Sequence, residues 1–217
     1  MFRQDRNSNG GGVATFVKDI WKPEELINIQ NQFVSEGIEA TIVKITMTKP
    51  IKHVILVSVY RPPNAVATWF SKFNDLLLEV MQTGPVIMLR DINADMLTPK
   101  AKVTKLLCNS LALAGLSVPI ITPTRVCSMT STCLDIIAMP NELDCLEYSV
   151  IVNAISDHYP VQAMLCACTT NKPEPVLKRS YKNVRIWMTF VTEWQTSSSI
   201  RMRTYLRMIY YTPGNLK

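Results

Sequence analysis

The segment "HVILVSVYRPPN", His53 to Asn64, is the strongest indication of the fold in this sequence. Its first eight residues are almost uniformly apolar, which is typical of a central strand buried on both faces. The two prolines end this strand, because proline has no backbone N–H to donate to a neighbouring strand. From about Ala67 to Gln82 the apolar residues recur at helical spacing, which predicts an amphipathic helix.

Strand and helix patterns alternate on both sides of this segment. Upstream, "IEATIVKITM", Ile38 to Met47, alternates apolar and polar residues and predicts a strand with one buried face. Downstream, "GPVIML", Gly84 to Leu89, predicts a short buried strand, and a second helix is predicted from about Ala101 to Ala114. Further strands are predicted in "GGGVATFVK", "TCLDIIAMP" and "YPVQAMLCAC". This order of elements indicates a mixed α/β fold.

The composition excludes several classes of protein. The 217 residues are 47% hydrophobic and 18% charged, which predicts a packed domain and not a disordered chain. No apolar run approaches the roughly 20 residues of a membrane helix, and the N-terminus lacks the apolar core of a signal peptide. We therefore expect an intracellular protein that is neither secreted nor bound to a membrane. The six cysteines form no C-x-x-C pair, so reduced core residues are favoured over a metal site or disulfides.

The net charge of +6 is unevenly distributed along the chain. From Lys172 onward, nine Lys and Arg against two Glu give a charge of +7, so the preceding residues carry a charge of −1. We therefore divide the chain into a folded domain, residues 1–170, and a basic linker and tail, residues 171–217. The tail combines arginines with aromatic residues, which could bind nucleic acid through charge and stacking. Sequence without a specific binding role is the favoured alternative.

Polar residues cluster where predicted strands end. These residues are Tyr60, the pair Asp91 and Asn93, and the pair Asp157 and His158. Asp135 lies within a predicted strand, where a carboxylate is costly to bury without a partner such as an imidazole. An imidazole held by a carboxylate can activate water or stabilise negative charge, and a further carboxylate can hold Mg²⁺. These residue types suit hydrolysis of a phosphodiester.

Five motifs in order carry a family resemblance: "GGGVATFVK", "VSVYRPPN", "PVIMLRDIN", "TPTRVCSMTSTCLDII" and "ISDHYPV". Together they resemble the endonuclease/exonuclease/phosphatase superfamily, and more narrowly the apurinic-type endonuclease domain of non-LTR retrotransposons, over roughly Arg3 to Cys168. The resemblance implies a four-layer α/β sandwich, in which two packed mixed β-sheets are flanked by helices. It also implies a metal-dependent endonuclease that nicks DNA with Mg²⁺ or Mn²⁺ and without a small-molecule cofactor. Its setting would be nuclear, beside a reverse transcriptase domain in the parent element.

The resemblance also implies roles for individual residues. His158 would be the catalytic histidine, oriented by Asp135, and Asp157 would contribute to the metal site. Asp91 and Asn93 would handle a proton and hold a phosphate oxygen, and Tyr60 would donate its hydroxyl to the phosphate. The expected substrate-binding residues are Ser156, Thr124, Arg125 and Asn64, with Arg61 as a further arginine that could face DNA.

The chain departs from the family pattern in two respects. The family's first strands, including a "QE" segment whose glutamate is the principal metal ligand, are not found, and the glutamates nearest the N-terminus fall too late to be that glutamate: Glu24, Glu25, Glu36 and Glu39. Arg90 replaces the usual glycine before Asp91. We therefore expect an N-terminally truncated copy with weak metal binding and impaired catalysis. Two alternatives stay open, a catalytically dead nucleic-acid-binding remnant and a phosphatase acting on a phospholipid or a phosphorylated sugar.

Overall fold

The computed structural model describes residues 1–6, 12–47, 52–66, 68–119, 121–143, 145–152 and 157–166. It also describes the backbone of two strands at 185–189 and 204–207. Ser156 and most of the predicted linker and tail lie outside the described residues. Three helices are described: α1 (Ile27–Ser35), α2 (Trp69–Met81) and α3 (Lys102–Leu113), with a short 3-10 turn at Asp19–Trp21.

The described strands are β1 (Phe2–Asp5), β2 (Gly12–Thr15), β3 (Glu24–Glu25), β4 (Glu39–Thr46), β5 (His53–Tyr60), β6 (Val86–Asp91), β7 (Leu116–Ser117), β8 (Arg125–Val126), β9 (Ser131–Thr132), β10 (Asp135–Pro140), β11 (Cys145–Val150), β12 (Val161–Cys166), β13 (Arg185–Thr189) and β14 (Thr204–Arg207).

A six-stranded mixed sheet forms the centre of the fold, in the order β3-β4-β5-β6-β10-β7. Strands β5 and β6 are parallel, and every other pair in this sheet is antiparallel. Parallel neighbours need a long crossover connection, which α2 supplies between β5 and β6. The predicted change from strand to helix to strand over residues 53–89 is therefore confirmed.

All three described helices pack on one face of this sheet. The apolar stripe of α2 supplies Trp69, Phe73 and Leu76 to a core that also contains Phe33 of α1 and Leu107 of α3. The rings of Trp69 and Phe73 stack with centroids 4.8 Å apart, and Phe70 meets Trp69 edge to face. The burial of this stripe explains why the helical spacing of apolar residues correctly predicts helix α2.

Further strands cover the opposite face of the sheet, namely the β1–β2 hairpin and strands β11 and β12, which belong to a four-stranded sheet in the order β11-β12-β13-β14. The β1–β2 hairpin packs over β4 and β5, where the Thr15 hydroxyl is hydrogen-bonded to those of Thr41 (2.5 Å) and Ser58 (2.7 Å). Strands β11 and β12 pack over β10 and enclose a second apolar core that includes Ile137 and Leu165. The α/β class is confirmed, and the described residues provide three of the four expected layers.

No helix in the described part of the chain is long and apolar enough to cross a bilayer.

Candidate active site

One row of polar residues runs across four adjacent strands at a single edge of the central sheet. Glu39 of β4 pairs with Tyr60 of β5, Tyr60 with Asp91 of β6, and Asp91 with Asp135 of β10. Side chains of directly paired residues point to the same face of a sheet, so these four side chains share one face. It is the face whose interior residues include Val43, Leu56, Leu89 and Ile137. This polar row (Glu39, Tyr60, Asp91, Asp135) therefore lies at the end of the core between the strand layers.

His158 joins the polar row through Asp135. The imidazole Nδ1 lies 2.8 Å from Asp135 Oδ2, and both side chains are largely buried. The backbone holds His158 in place, because His158 bridges Arg125 of β8 and the N–H of Tyr159 donates to the carbonyl of Thr124 at 2.6 Å. The structure thus brings together the two residues that sequence analysis paired, although 23 positions separate them.

Thr124 supports Asp135 from inside the protein. Its hydroxyl donates to Asp135 Oδ2 at 2.9 Å and accepts the backbone N–H groups of Leu134 and Asp135, each at 3.0 Å. Only 1% of Thr124 is exposed. This burial corrects the expectation that Thr124 contacts DNA, since its hydroxyl is turned inward to fix the carboxylate that faces His158.

Asp91 is a buried carboxylate at the end of β6. Its Oδ1 accepts the backbone N–H of Asn93 at 3.0 Å, and only 2% of the residue is exposed. Burial, reinforced by the nearby charge of Asp135, raises the pKa of Asp91 to about 7. A carboxylate that titrates near neutral pH suits a group that exchanges protons during a reaction.

The imidazole of His158 experiences two opposing effects. Burial disfavours its charged form, but the hydrogen bond to Asp135 and the charges of Asp135, Asp91 and Asp157 outweigh burial. The pKa of His158 is therefore raised above its ordinary value. The site stabilises a protonated imidazole beside its carboxylates.

Asn93 ties the ends of β5 and β6 together. Its side-chain Nδ2 donates to the carbonyl of Arg61 at 2.8 Å, and the backbone N–H of Arg61 donates to the carbonyl of Asp91 at 2.9 Å. Asn93 has a φ of 49°, a left-handed conformation that asparagine tolerates better than most residues. Arg61 itself is buried against the rings of Trp69 and Phe70, which corrects the expectation that it faces DNA.

Asp91, Asp135 and His158 could together hold a metal ion. One ligand atom from each lies within 4.8 Å of the others. The donor set fits a divalent cation, because two carboxylates that repel each other at close range are stabilised when a cation lies between them. Oxygen-rich sites of this kind suit Mg²⁺ or Mn²⁺.

The remaining predicted residues lie in different settings. Asp157 forms an ion pair with Arg125 at 2.8 Å, and this arginine holds the pKa of Asp157 below its usual value. Asp157 is thus directed at Arg125 and is not among the three potential direct ligands found in the described part of the chain, and its contribution to the metal site through water stays a prediction. Asn64 is exposed in the turn after β5, and Ser156 lies outside the described residues.

Arg90, which replaces the usual glycine before Asp91, points away from the polar row. Successive residues of a strand point to opposite faces, so Arg90 faces the helices while Asp91 faces the polar row. The Arg90 side chain is almost entirely buried, and within the described part of the chain none of its three guanidinium nitrogens has a hydrogen-bond partner. Burial lowers the pKa of Arg90 to about 9. The cation therefore does not obstruct the approach to Asp91.

Sequence analysis missed two residues of this edge, Glu39 and Arg6. By its position in the sequence, Glu39 falls too late to be the family's metal-binding glutamate. Its place beside Tyr60 follows only from the register of β4 against β5. The guanidinium of Arg6 lies against both Glu39 and Tyr60. Alternation within β4 could have placed Glu39 on the same face as Val43, but no sequence signal connects Arg6 to it.

Comparison with known proteins finds similarity to solved structures of the endonuclease/exonuclease/phosphatase family. One is the endonuclease domain of TRAS1, a telomere-specific non-LTR retrotransposon (19% identity, TM-score 0.45, 55% of this chain and 58% of that chain). A second is a family protein from Leptotrichia buccalis (20%, 0.44, 58% and 53%). A third is ANGEL2, a 2′,3′-cyclic phosphatase (14%, 0.45, 58% and 60%).

The chain spans less than two thirds of the length of each of these structures. No protein-family model matches the chain, and no curated protein matches it. Because the identities and TM-scores are low, the function of this chain has to be inferred from its own side chains.

Proposed function

We propose that this chain is a divalent-metal-dependent phosphodiester hydrolase that nicks DNA. The observation that supports this function is the convergence of Asp91, Asp135 and His158, with one ligand atom of each within 4.8 Å of the others. Tyr60 ends the strand beside Asp91, so a hydroxyl donor belongs to the same edge. A carboxylate with a pKa near neutral, a carboxylate-held imidazole and a phenol together provide the groups that phosphodiester hydrolysis requires.

In this proposal Asp91 and His158 perform separate tasks. Asp91 accepts the proton of the attacking water, because its buried carboxylate lies in the polar row beside Asp135 and His158. His158, whose pKa is raised by the hydrogen bond and the charge of Asp135, stabilises the negative charge that develops on the phosphate oxygens. Thr124 keeps Asp135 in the orientation that this pairing requires.

A divalent cation would be held by the carboxylates of Asp91 and Asp135, with His158 beside it and not bound to it, because a protonated imidazole has no lone pair for a metal. When bound, it would supply Lewis-acid stabilisation of the phosphate. We expect this binding to be weak, because Asp135 Oδ2 already accepts hydrogen bonds from Thr124 and is paired with His158. Weak metal binding would in turn limit the rate.

DNA is the substrate that we propose, and Arg125 is the described residue best placed to meet it near His158. Its side chain is 43% exposed and its backbone bridges His158. The ion pair with Asp157 leaves part of the guanidinium available to a phosphate, since arginine has five N–H donors. Substrate-binding roles for Ser156 and Asn64 stay predictions.

Nicking of supercoiled plasmid DNA tests the proposed function. We expect nicking in Mg²⁺ or Mn²⁺ that is abolished by a chelator and that falls roughly 10²- to 10⁴-fold in His158→Ala. His53→Ala is the matched control, because His53 lies at the other end of β5, where its Nε2 is hydrogen-bonded to the Thr83 carbonyl. Equal nicking by wild type and His158→Ala would contradict the proposal.

The alternative of a nucleic-acid-binding protein without activity is favoured by one observation. Asp157, which could have been a fourth metal ligand, is instead paired with Arg125. The same experiment separates the two functions, because an inactive binding protein would retain DNA without nicking it in either Mg²⁺ or Mn²⁺.

A further inference from the structure

Arg6 lies at the end of the polar row opposite to His158. Its Nε and Nη2 donate to the two carboxylate oxygens of Glu39 at 2.6 and 2.9 Å. Its guanidinium carbon lies 5.0 Å from the centroid of the Tyr60 ring. A bidentate arginine–carboxylate pair of this kind fixes the plane of the guanidinium as well as its position.

The guanidinium of Arg6 is held in place but remains accessible. The Glu39 side chain is largely buried, whereas 32% of the Arg6 side chain is exposed to solvent. Two of its N–H groups donate to Glu39 and a further side-chain hydrogen bond joins Arg6 to Tyr60, so of the five N–H donors of the group some remain for a second anion. Arginine in a fixed orientation is well suited to bind phosphate oxygens.

The charges of this edge require a cation near Tyr60 if a polyanion is to bind there. The polar row contains three carboxylates, those of Glu39, Asp91 and Asp135. Arg125 supplies an exposed cation at the His158 end. Arg6 supplies the corresponding cation at the Tyr60 end, paired with Glu39, whose strand position lies two strand spacings, about 10 Å, from that of Asp91.

We propose that Arg6 is a phosphate-binding residue that contacts the nucleic-acid backbone beside the phosphate to be cleaved. This inference rests on the proposed function and specifies its substrate. A site with cations on both sides of the reacting groups favours a chain of phosphodiesters, such as a DNA strand, over a small phosphomonoester. Glu39 then has two effects, since it orients Arg6 and also neutralises part of its charge.

Those two effects lead to opposite expectations for the two partners of the ion pair. Arg6→Gln removes the cation and should weaken DNA binding. Glu39→Gln removes the competing negative charge while its amide can still accept a hydrogen bond from Arg6, so it should tighten DNA binding. A purely structural ion pair would instead respond in the same direction to the loss of either partner.

The experiment measures binding of the whole chain to a short DNA duplex in a chelator, so that no cleavage occurs, between roughly 50 and 200 mM salt. We expect Kd to rise about tenfold in Arg6→Gln. The slope of log K against log salt should decrease in magnitude by about one, the change expected when one phosphate contact is lost. Kd should fall a few-fold in Glu39→Gln. Arg6→Lys keeps the charge and should keep the slope, which separates loss of phosphate contact from loss of the β1–β4 link.

Three results would overturn the inference. They are an unchanged Kd in Arg6→Gln, weaker binding in both Arg6→Gln and Glu39→Gln, and failure of the wild-type chain to bind the duplex at the lowest salt. Because this experiment uses neither metal nor cleavage, the loss of nicking activity and the loss of the Arg6 contact are distinguishable.

Discussion

Arg90 and Asp91 are neighbours on β6 that carry opposite charges into two different regions. Both residues are only 2% exposed. Asp91 lies in the polar row, where Asn93 donates a hydrogen bond to it and His158 provides a nearby positive charge. Arg90 lies in the apolar core under the helices, where the described residues provide no hydrogen-bond partner. The same degree of burial thus has different consequences in the two regions.

The surroundings of a buried charge, and not its burial alone, indicate whether it belongs to a functional site. Burial is the first cause of both pKa shifts, which bring Asp91 to about 7 and Arg90 to about 9. The shift of Asp91 places its titration in the working range of an enzyme and close to other reactive groups. The shift of Arg90 arises mainly from the cost of desolvating a cation in the core, which the neighbouring Cys108, Tyr148 and Cys133 offset only in part.

The largest effect is expected when Arg90 is replaced by methionine. Arg90→Met removes a buried charge that has no hydrogen-bond partner among the described residues and keeps a long flexible side chain, so we expect the free energy of unfolding to increase by about 2 kcal/mol. Urea denaturation measures this change. Arg125→Met is the matched control, because an exposed ion pair contributes about 1 kcal/mol or less. Clear destabilisation by Arg90→Met would mean that Arg90 has a stabilising partner and would end the contrast with Asp91.

The second effect concerns the pH dependence of stability at Asp91. The folded state raises the pKa of this acid from 3.8 to about 7, so between these values it binds more protons than the unfolded state. Stability should therefore decrease as the pH rises through that window, and the full penalty should be present at pH values above the folded pKa. Asp91→Asn removes this penalty. The free energy of unfolding of the variant should therefore exceed that of wild type by on the order of 2 kcal/mol in alkaline buffer, and the two proteins should be about equally stable in acid.

Urea denaturation of wild type and Asp91→Asn at both ends of this window, in a chelator, measures the difference. Nicking activity should be lost in the same variant, since the residue that lowers stability is the one that we assign to catalysis. A difference in stability between the two proteins that does not change with pH would show that the Asp91 carboxylate is not perturbed.

The smallest effect is expected at Thr124, which supports the site without entering it. Thr124→Val keeps the shape of the side chain and removes the hydroxyl bonded to Asp135, so we expect about tenfold slower nicking. Thr124→Ser should restore the rate because the hydroxyl returns. The pH dependence of nicking should also shift in Thr124→Val, a change that a purely structural role would not produce. Identical pH profiles in wild type and Thr124→Val would contradict this assignment.

The central part of the fold could be predicted because its segments carry strong local patterns. The strand at His53–Tyr60 matches its predicted range, and α2 begins and ends within two residues of the prediction. Helix α1 was not predicted, since Ile27 and Ile29 alternate with polar residues as they would in a strand. Its buried Gln30 accepts the backbone N–H of Ile42 at 3.0 Å, a tertiary contact that stabilises the helix and has no local signal.

The site was predictable where residues end strands or follow a recognisable motif order. Asp91, Asp135 and His158 were found in this way, and the structure brings them together. The inward orientation of Thr124 was not predictable, because it depends on how the β8–β9 hairpin meets Asp135. The Arg6–Glu39 pair depends on the β1–β2 hairpin lying over β4, which sequence periodicity does not specify.

Binding of Mn²⁺ shows whether Asp91 and Asp135 hold a cation next to His158. The chain has two histidines, and His53 lies at the opposite end of β5 from Tyr60, about 23 Å away along the strand. In an NMR titration of the histidine ring signals, substoichiometric Mn²⁺ should broaden the signals of His158 well before those of His53. This selectivity should disappear in Asp91→Asn. Equal broadening of both histidines in the wild-type chain, or broadening of His158 that persists unchanged in Asp91→Asn, would contradict the account.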